Sequence, residues 1–300
     1  MSSIRPIIIT GPTACGKTMV AEILAKRFNS EIISADSRLV YRELDIGSAK
    51  YTISGDIKYH LVDVVNIGET FNLSDFLSLS RATTDLLLSN GIIPIIAGGT
   101  MLYIERYIKG FDPSPPPRSD YREDLRNLAL NKGYKEVHNL LVEKDPELAK
   151  KIHPRNLNSV IRKLEKLEFD YISDHKGFSP LQGYQCFFLL NEKKKIYENI
   201  EKRLNQMIKR GWLEEVKQLK KKGYSEEDAG LDSIGYRHIF EYLNDNISFE
   251  HMFSSILSDT KKLARKQIKW RTRFPCNLIN VKEKKANEVA DEIMESLKLV

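Results

Sequence analysis

Three short, almost wholly apolar runs mark the first hundred residues: Ile7-Ile8-Ile9, Ile32-Ile33 and Ile92 to Ala97. None alternates with polar residues, and each gives way to Gly, Asp or Ser, which is how strands buried on both faces of a parallel sheet read. Between them, Lys17 to Phe28 and Leu73 to Ser89 carry helix-like patterns. The N-terminal part therefore reads β-α-β-α, an α/β fold with helices flanking a parallel sheet. Around Phe111 the pattern breaks into Asp-Pro-Ser-Pro-Pro-Pro (112–117), which continues neither a helix nor a central strand. From Arg118 to Gly183 the chain is helical and highly charged, and Cys186 to Leu190 (CFFLL) then resembles another buried strand. The simplest arrangement is an all-helical insert, 118–183, within an α/β core formed by 1–117 and 184–300. Beyond it, Ile196, Ile200, Leu204, Ile208, Leu213, Val216 and Leu219 recur at helical spacing. They predict one long amphipathic helix whose basic outer face carries Lys202, Arg203, Lys209 and Arg210. A last strand, Asn277 to Val281, and a terminal helix complete the expected fold.

The 300 residues, 41% of them hydrophobic, suffice for a substantial core. No run approaches the roughly 20 apolar residues that span a bilayer, and the start lacks the features of a signal peptide, so a cytoplasmic protein without membrane contact is expected; a monomer is expected as well. Cys15, Cys186 and Cys276 are widely spaced and form no paired metal-ligand pattern, so neither disulfides nor structural zinc are expected. Lys plus Arg exceed Asp plus Glu by 47 to 41, a formal charge of +6. The excess is concentrated in Lys261 to Arg273 (KKLARKQIKWRTR), which has no acidic residue. A solvated surface helix and a nucleic-acid face both fit such a run, and the interleaved Trp270 favours the second.

Gly11-Pro12-Thr13-Ala14-Cys15-Gly16-Lys17-Thr18 matches G-x-x-x-x-G-K-[ST] between a predicted strand and a predicted helix. Backbone N–H groups of such a loop converge on an anion, Lys17 adds charge, and the Thr18 hydroxyl is placed to help hold Mg²⁺. The motif specifies a diphosphate or triphosphate, not the reaction. That choice falls to residues at the other strand ends, where ligands of open α/β sheets bind. Asp36, in Ser34-Ala35-Asp36-Ser37-Arg38-Leu39, follows a strand and reads equally as a base or metal partner and as a helix N-cap. In Ala97-Gly98-Gly99-Thr100, two glycines bring backbone and the Thr100 hydroxyl near a ligand, or simply make a tight turn. His60 lies near a strand, and no chemistry is assigned to it.

With GPTACGKT, ADSRLVYRELDIGSAK, YHLVDV and AGGTMLY in that order, followed by IEKRLNQMIKRGWLEEV, SIGYRHIFEYL and LARKQIKWRTRF, the chain resembles the tRNA dimethylallyltransferase (IPP transferase) family from about Ile7 to Phe274. The later blocks are not general P-loop features. The resemblance implies a P-loop NTPase-like core and Mg²⁺-dependent transfer of a dimethylallyl group from dimethylallyl diphosphate to the exocyclic amine of the adenosine 3′ of the anticodon. It implies that Gly11 to Thr18 cradle the diphosphate, that Asp36 is the general base, that Thr100 hydrogen-bonds at the reacting centre, and that Lys17 and Arg203 neutralise the leaving group. It also implies that Asp36, Ser37, Arg38, Leu39 and Thr100, with Asn158, Ser159 and Arg162 of the insert and Gly235, Tyr236 and Arg237, contact the tRNA anticodon stem-loop. Arg265, Lys266 and Arg271 of the basic segment are candidates for its phosphates. The chain departs from the family pattern at Cys15 (commonly Ser), Leu39 (Gln), Asn158-Ser159 (Gln-Arg) and Asn199 (Arg). Most of these bear on RNA preference more than on the reaction.

Two other enzymes fit parts of the pattern. A small-molecule P-loop kinase would use Lys17, Thr18 and Asp36 for phosphoryl transfer, but leaves the insert and the basic segment without a role. A prenyltransferase of free adenine nucleotide would need no RNA-binding insert. A non-catalytic RNA-binding module would leave the P-loop idle.

Overall fold

The computed structural model describes residues 5–50, 53, 55–111, 118–169 and 177–298; the proline cluster at 112–117 lies outside them. The chain divides into two compact units, Met1–Gly110 with Ser179–Val300, and Phe111–Phe178.

The first unit is built on a sheet of six strands: β1 (Ile7–Thr10), β2 (Ile32–Ser34), β3 (Tyr59–His60), β4 (Ile95–Gly98), β5 (Gln185–Leu190) and β6 (Asn277–Asn280). Their order is β3-β2-β4-β1-β5-β6, and every pairing is parallel. β1 is central, with Ile7 in register with Ile95 of β4 on one side and Gln185 of β5 on the other. Ile7, Ile8, Ile9, Ile32 and Ile33 are all buried, which is why these strands are unbroken runs of β-branched residues. Parallel strands require crossovers. Here α1 (Lys17–Phe28), α2 (Leu73–Ser89) and α3 (Met101–Lys109) provide the first of them. α2 starts where the sequence requires. The Asn72 side chain accepts from Asp75 N at 3.3 Å and the Asp75 carboxylate accepts from Asn72 N at 2.8 Å, a complete capping box. A strand, phosphate loop and helix in a parallel sheet make this a P-loop NTPase-like fold.

The second unit comprises α4 (Ser119–Lys132), α5 (Tyr134–Lys144), α6 (Pro146–Ala149) and α7 (Leu157–Glu168). Its own core joins Leu125 and Ala129 to Val137, Leu141, Val160, Ile161 and Leu164. The buried Glu165 is held by Arg122, whose Nη2 donates at 2.6 Å, and by Arg118 N at 2.7 Å. Burial by itself would raise this carboxyl, but the Arg122 guanidinium, the Arg118 N–H and the Arg162 charge hold it below its ordinary value.

The first unit continues with α8 (Lys193–Lys209), α9 (Trp212–Lys221), α10 (Tyr236–Leu243), α11 (Phe249–Trp270, followed by a 3-10 turn at Arg271–Arg273) and α12 (Ala286–Lys298). Two expectations are corrected here. The single long helix over 196–219 is two helices, because Gly211 takes a left-handed conformation (φ 95°) between them. Trp212, the first residue after the turn, is buried. Second, disulfides were not expected, yet Cys186 and Cys276 are joined, with Cα atoms 4.6 Å apart. Phe187 is in register with Asn277, so the preceding residues face each other across β5 and β6. Spacing of 90 residues along the chain hides this neighbourhood. Among the described residues no helix is long and apolar enough to cross a membrane.

Candidate active site

At the carboxyl ends of β1, β2 and β4, the first unit opens a cavity of about 550 Å³. The phosphate loop follows β1 and ends where Gly16, with φ 93°, hands over to α1 at Lys17. Lys17 Nζ donates to the Pro12 carbonyl at 2.7 Å, so the ammonium lies folded across the loop it serves. Thr13, Lys17 and Thr18 line the cavity. The Cys15 side chain is buried beneath the loop, and burial pushes its thiol up against the opposing pull of Lys17, so it stays a neutral thiol. Asn199 of α8 supports the loop from behind, donating to Ala14 O at 3.1 Å.

β2 and β4 deliver the second group. Ala35 N donates to Ala97 O at 2.8 Å and Thr100 N to Ala35 O at 3.1 Å, extending the pairing beyond the strands. A Cβ on Gly98 would lie 2.1 Å from the Ala35 oxygen, so only glycine permits this approach. The Thr100 hydroxyl accepts from Ser37 N at 3.0 Å, and Asp36 Oδ1 accepts from Arg38 N at 2.9 Å. No helix begins at Asp36. The residues after it form successive turns, so the N-cap reading gives way to a carboxylate that closes a local turn while lining the cavity.

α8 and α11 form the facing wall. On α8, Ile196, Ile200, Leu204 and Met207 are buried and Arg203, half-buried beside them, lines the cavity instead of the outer face predicted for it. α11 contributes Lys266, Gln267 and Trp270. Trp270 therefore faces the cavity, with the Arg273 guanidinium 4.3 Å over its ring. The remaining lining includes the apolar Leu204, Met207, Trp212, Ile256 and Leu263, with Ser48, Asp232, Ser233 and Thr260 among them. The cavity thus offers both the phosphate loop and apolar side chains to a ligand.

The residues expected to meet RNA are distributed unevenly. Ser37, Arg38, Leu39 and Lys266 line the cavity with Asp36 and Thr100. Arg38 is committed to the protein, donating to Ala229 O and Gly230 O at 3.2 and 3.1 Å. The Tyr236 side chain is buried, donates to Glu215 Oε1 at 2.7 Å and packs edge-on against Trp212. Its neighbour Arg237 is exposed, 3.3 Å from Asp232. Arg265 is exposed and Arg271 half-buried. Asn158 and Arg162 are on the exposed side of α7, and Ser159 is half-buried there.

Gln267 was not singled out from the sequence. Its Oε1 accepts from Thr13 N and its Nε2 donates to Gly99 O, both at 2.8 Å, tying the phosphate loop to the β4 turn. The signal was present, since Gln267 occupies the buried stripe of α11 with Met252, Ile256 and Ala264, where a polar residue needs a partner.

Among the described residues no cluster of three or more His, Cys, Asp or Glu could hold a metal. Thr18 and Asp36, which both line the cavity, fit a hard cation carried mainly by phosphate oxygens and water, as Mg²⁺ prefers, and not a dedicated protein cage.

Comparison with known proteins agrees with this geometry. The chain is 36% identical to a tRNA dimethylallyltransferase of Lachnoclostridium phytofermentans, over 98% of this chain and 96% of that protein. It is 38% identical to one from Caldanaerobacter subterraneus, over 89% of each. Among solved structures, a tRNA isopentenylpyrophosphate transferase from Bacillus halodurans superposes with a TM-score of 0.73 at 29% identity, covering 98% of this chain and 96% of that one. The family model described as IPP transferase matches residues 39–274, so a phosphate loop, a facing carboxylate and apolar side chains occur here in a chain that belongs to the IPP transferase family.

Proposed function

We propose that this protein transfers the dimethylallyl group of dimethylallyl diphosphate to the exocyclic amine of the adenosine 3′-adjacent to the anticodon of tRNA, releasing diphosphate. The observation that carries the reading is the single cavity that joins a phosphate loop, the Asp36–Thr100 turn pair and apolar side chains. The loop from Gly11 to Thr18 holds the diphosphate through backbone N–H groups. The dimethylallyl chain lies along those apolar side chains. As the amine attacks, the bond between the allylic carbon and the diphosphate oxygen breaks and a carbon–nitrogen bond forms. Asp36 takes the proton that the amine loses. Thr100 fixes the Asp36 turn through its bond to Ser37 N and orients the acceptor. Lys17 and Arg203, both lining the cavity, offset the charge that builds on the leaving diphosphate. Bound Mg²⁺, reached by the Thr18 hydroxyl, would supply further charge neutralisation there.

The acceptor base must leave its stack to reach Asp36, as in other enzymes that act on bases. The exposed face of α7 with Asn158 and Arg162, and the exposed basic residues Arg237 and Arg265, are offered for the anticodon stem-loop. The test is incubation with labelled dimethylallyl diphosphate and unmodified tRNA, followed by nucleoside analysis. Label in one adenosine beside the anticodon is the expected result. Label only in free AMP, or turnover of ATP with a small-molecule acceptor, would replace this reading by one of its rivals.

A further inference from the structure

β1 and β4 stop pairing at Thr10 and Gly98, yet the groups assigned to the reaction lie beyond that point, on the loop that leaves β1 and on the turns that leave β2 and β4. On the β2 side the backbone itself carries the pairing further, through Thr100 N and Ala35 O at 3.1 Å. On the β1 side the tie is a side chain from a third element. Gln267 of α11 accepts from Thr13 N through Oε1 and donates to Gly99 O through Nε2, both at 2.8 Å. A backbone N–H can only donate and a carbonyl can only accept, so the two bonds fix which end of the amide faces which segment. The side chain is only 7% exposed, and breaking either bond would leave a buried polar group without its partner. Space at the joint is short as well: a Cβ placed on Gly99 would be 3.0 Å from Gln267 Nε2 and 3.6 Å from Lys17 Nζ. From Gly99 the chain passes directly to Thr100, whose hydroxyl accepts from Ser37 N beside Asp36. A short series of hydrogen bonds thus runs from the phosphate loop through Gln267 to the turn that carries the carboxylate.

We propose that Gln267 is a positioning residue for the transfer reaction, which holds the phosphate loop, and the donor with it, in register with the Asp36–Thr100 turns that receive the acceptor amine. The inference rests on the reading of the cavity given under Proposed function. In that reading the two substrates are held by different segments, the diphosphate by the loop after β1 and the amine by the carboxylate after β2. The allylic carbon and the amine nitrogen meet only if those segments keep a fixed offset. Reaction rate is sensitive to such an offset, since a misplacement of about 1 Å can cost on the order of 10²-fold. Binding of the donor alone does not depend on it. Loss of the Gln267 bridge should therefore slow the transfer step and leave the affinity for the donor little changed.

The test is single-turnover transfer by the full chain with Mg²⁺, labelled dimethylallyl diphosphate and unmodified tRNA both saturating, beside calorimetric titration of the donor. Gln267→Met keeps the volume and removes both hydrogen bonds. Gln267→Glu keeps an acceptor for Thr13 N but sets a second oxygen against the Gly99 carbonyl, and it serves if the Met variant does not fold. Each should lower the saturated transfer rate by about tenfold or more while the donor Kd stays within about threefold of wild type, a split that misalignment produces. The loss should shrink in an Asp36→Asn background, because a bridge that aligns donor and carboxylate has less to align once the base is gone. A residue that merely stabilises the fold would give independent, additive effects. Additive losses, a weakened donor Kd with an unchanged saturated rate, or a saturated rate within about threefold of wild type, well short of the misalignment range, would each overturn the assignment. Failure of wild type to transfer the group to tRNA would instead overturn the reading of the site, and this inference with it.

Discussion

The Thr100 hydroxyl accepts a hydrogen bond from the Ser37 backbone N–H at 3.0 Å, which makes one structure of two turns 63 residues apart. One turn leaves the end of β2, and the other leads from β4 into α3, for which Thr100 is the N-cap. Each is fixed by the other and by the approach of Gly98 to Ala35, so the carboxylate of Asp36 is set beside the phosphate loop with little freedom.

Replacing Asp36 by Asn tests its assignment as the base. Asn keeps the size and an Oδ1 acceptor for Arg38 N, so the turn should persist. It cannot take a proton, and single-turnover transfer should fall by roughly 10²–10⁴-fold with donor binding little changed. A loss smaller than about threefold, far below that range, would mean that the carboxylate only shapes the turn.

Replacing 118–169 and its flanks by a short linker should leave diphosphate binding intact, because the phosphate loop and every residue lining the cavity belong to the other unit. Binding of an anticodon stem-loop should be lost. Electrophoretic mobility shift with the shortened protein decides, and near-normal RNA affinity would remove the helical unit from RNA recognition.

The Arg122–Glu165 pair gives the helical unit an acid-sensitive anchor. The Glu165 pKa is held below its unfolded value of about 4.3, so its contribution is complete above that pH and is lost as pH falls through the folded value. In Arg122→Leu the carboxylate is buried without its partner, which should cost about 3–5 kcal/mol near neutrality. Its folded pKa should then be raised, and acidification should recover part of the loss. Urea unfolding at pH 7 and near pH 4, followed by circular dichroism, checks this. Parallel pH dependence in the two proteins would show that the pair is not the acid-sensitive element.

Cys186 and Cys276 should be recovered as one cross-linked peptide after non-reducing digestion, with Cys15 alone alkylated once the protein is unfolded. Reduction should lower the melting temperature by loosening the tie between β5 and β6. Three alkylated cysteines in the unreduced protein would contradict the bridge.

Much of this molecule is written locally. The β-branched runs at 7–9 and 32–33 form strands because nothing but a doubly covered sheet can bury them, and α1 and α2 occupy Lys17–Phe28 and Leu73–Ser89 as their patterns and caps require. The phosphate loop is equally legible, since its backbone conformation, glycines and lysine are consecutive in the chain. The family resemblance supplied the roles of Asp36 and Arg203, which local patterns left open between function and capping or surface exposure. What the sequence could not disclose depends on distant residues meeting. Gln267 looks like one polar residue in a basic helix until α11 crosses the phosphate loop 254 residues away. Tyr236 looks like a loop aromatic until Glu215 and Trp212 enclose it. Cys186 and Cys276 look unrelated until β6 pairs with β5. Helix and strand propensities are sums over neighbours in the chain, whereas these contacts are fixed by the strand order and helix packing, which only the folded molecule specifies.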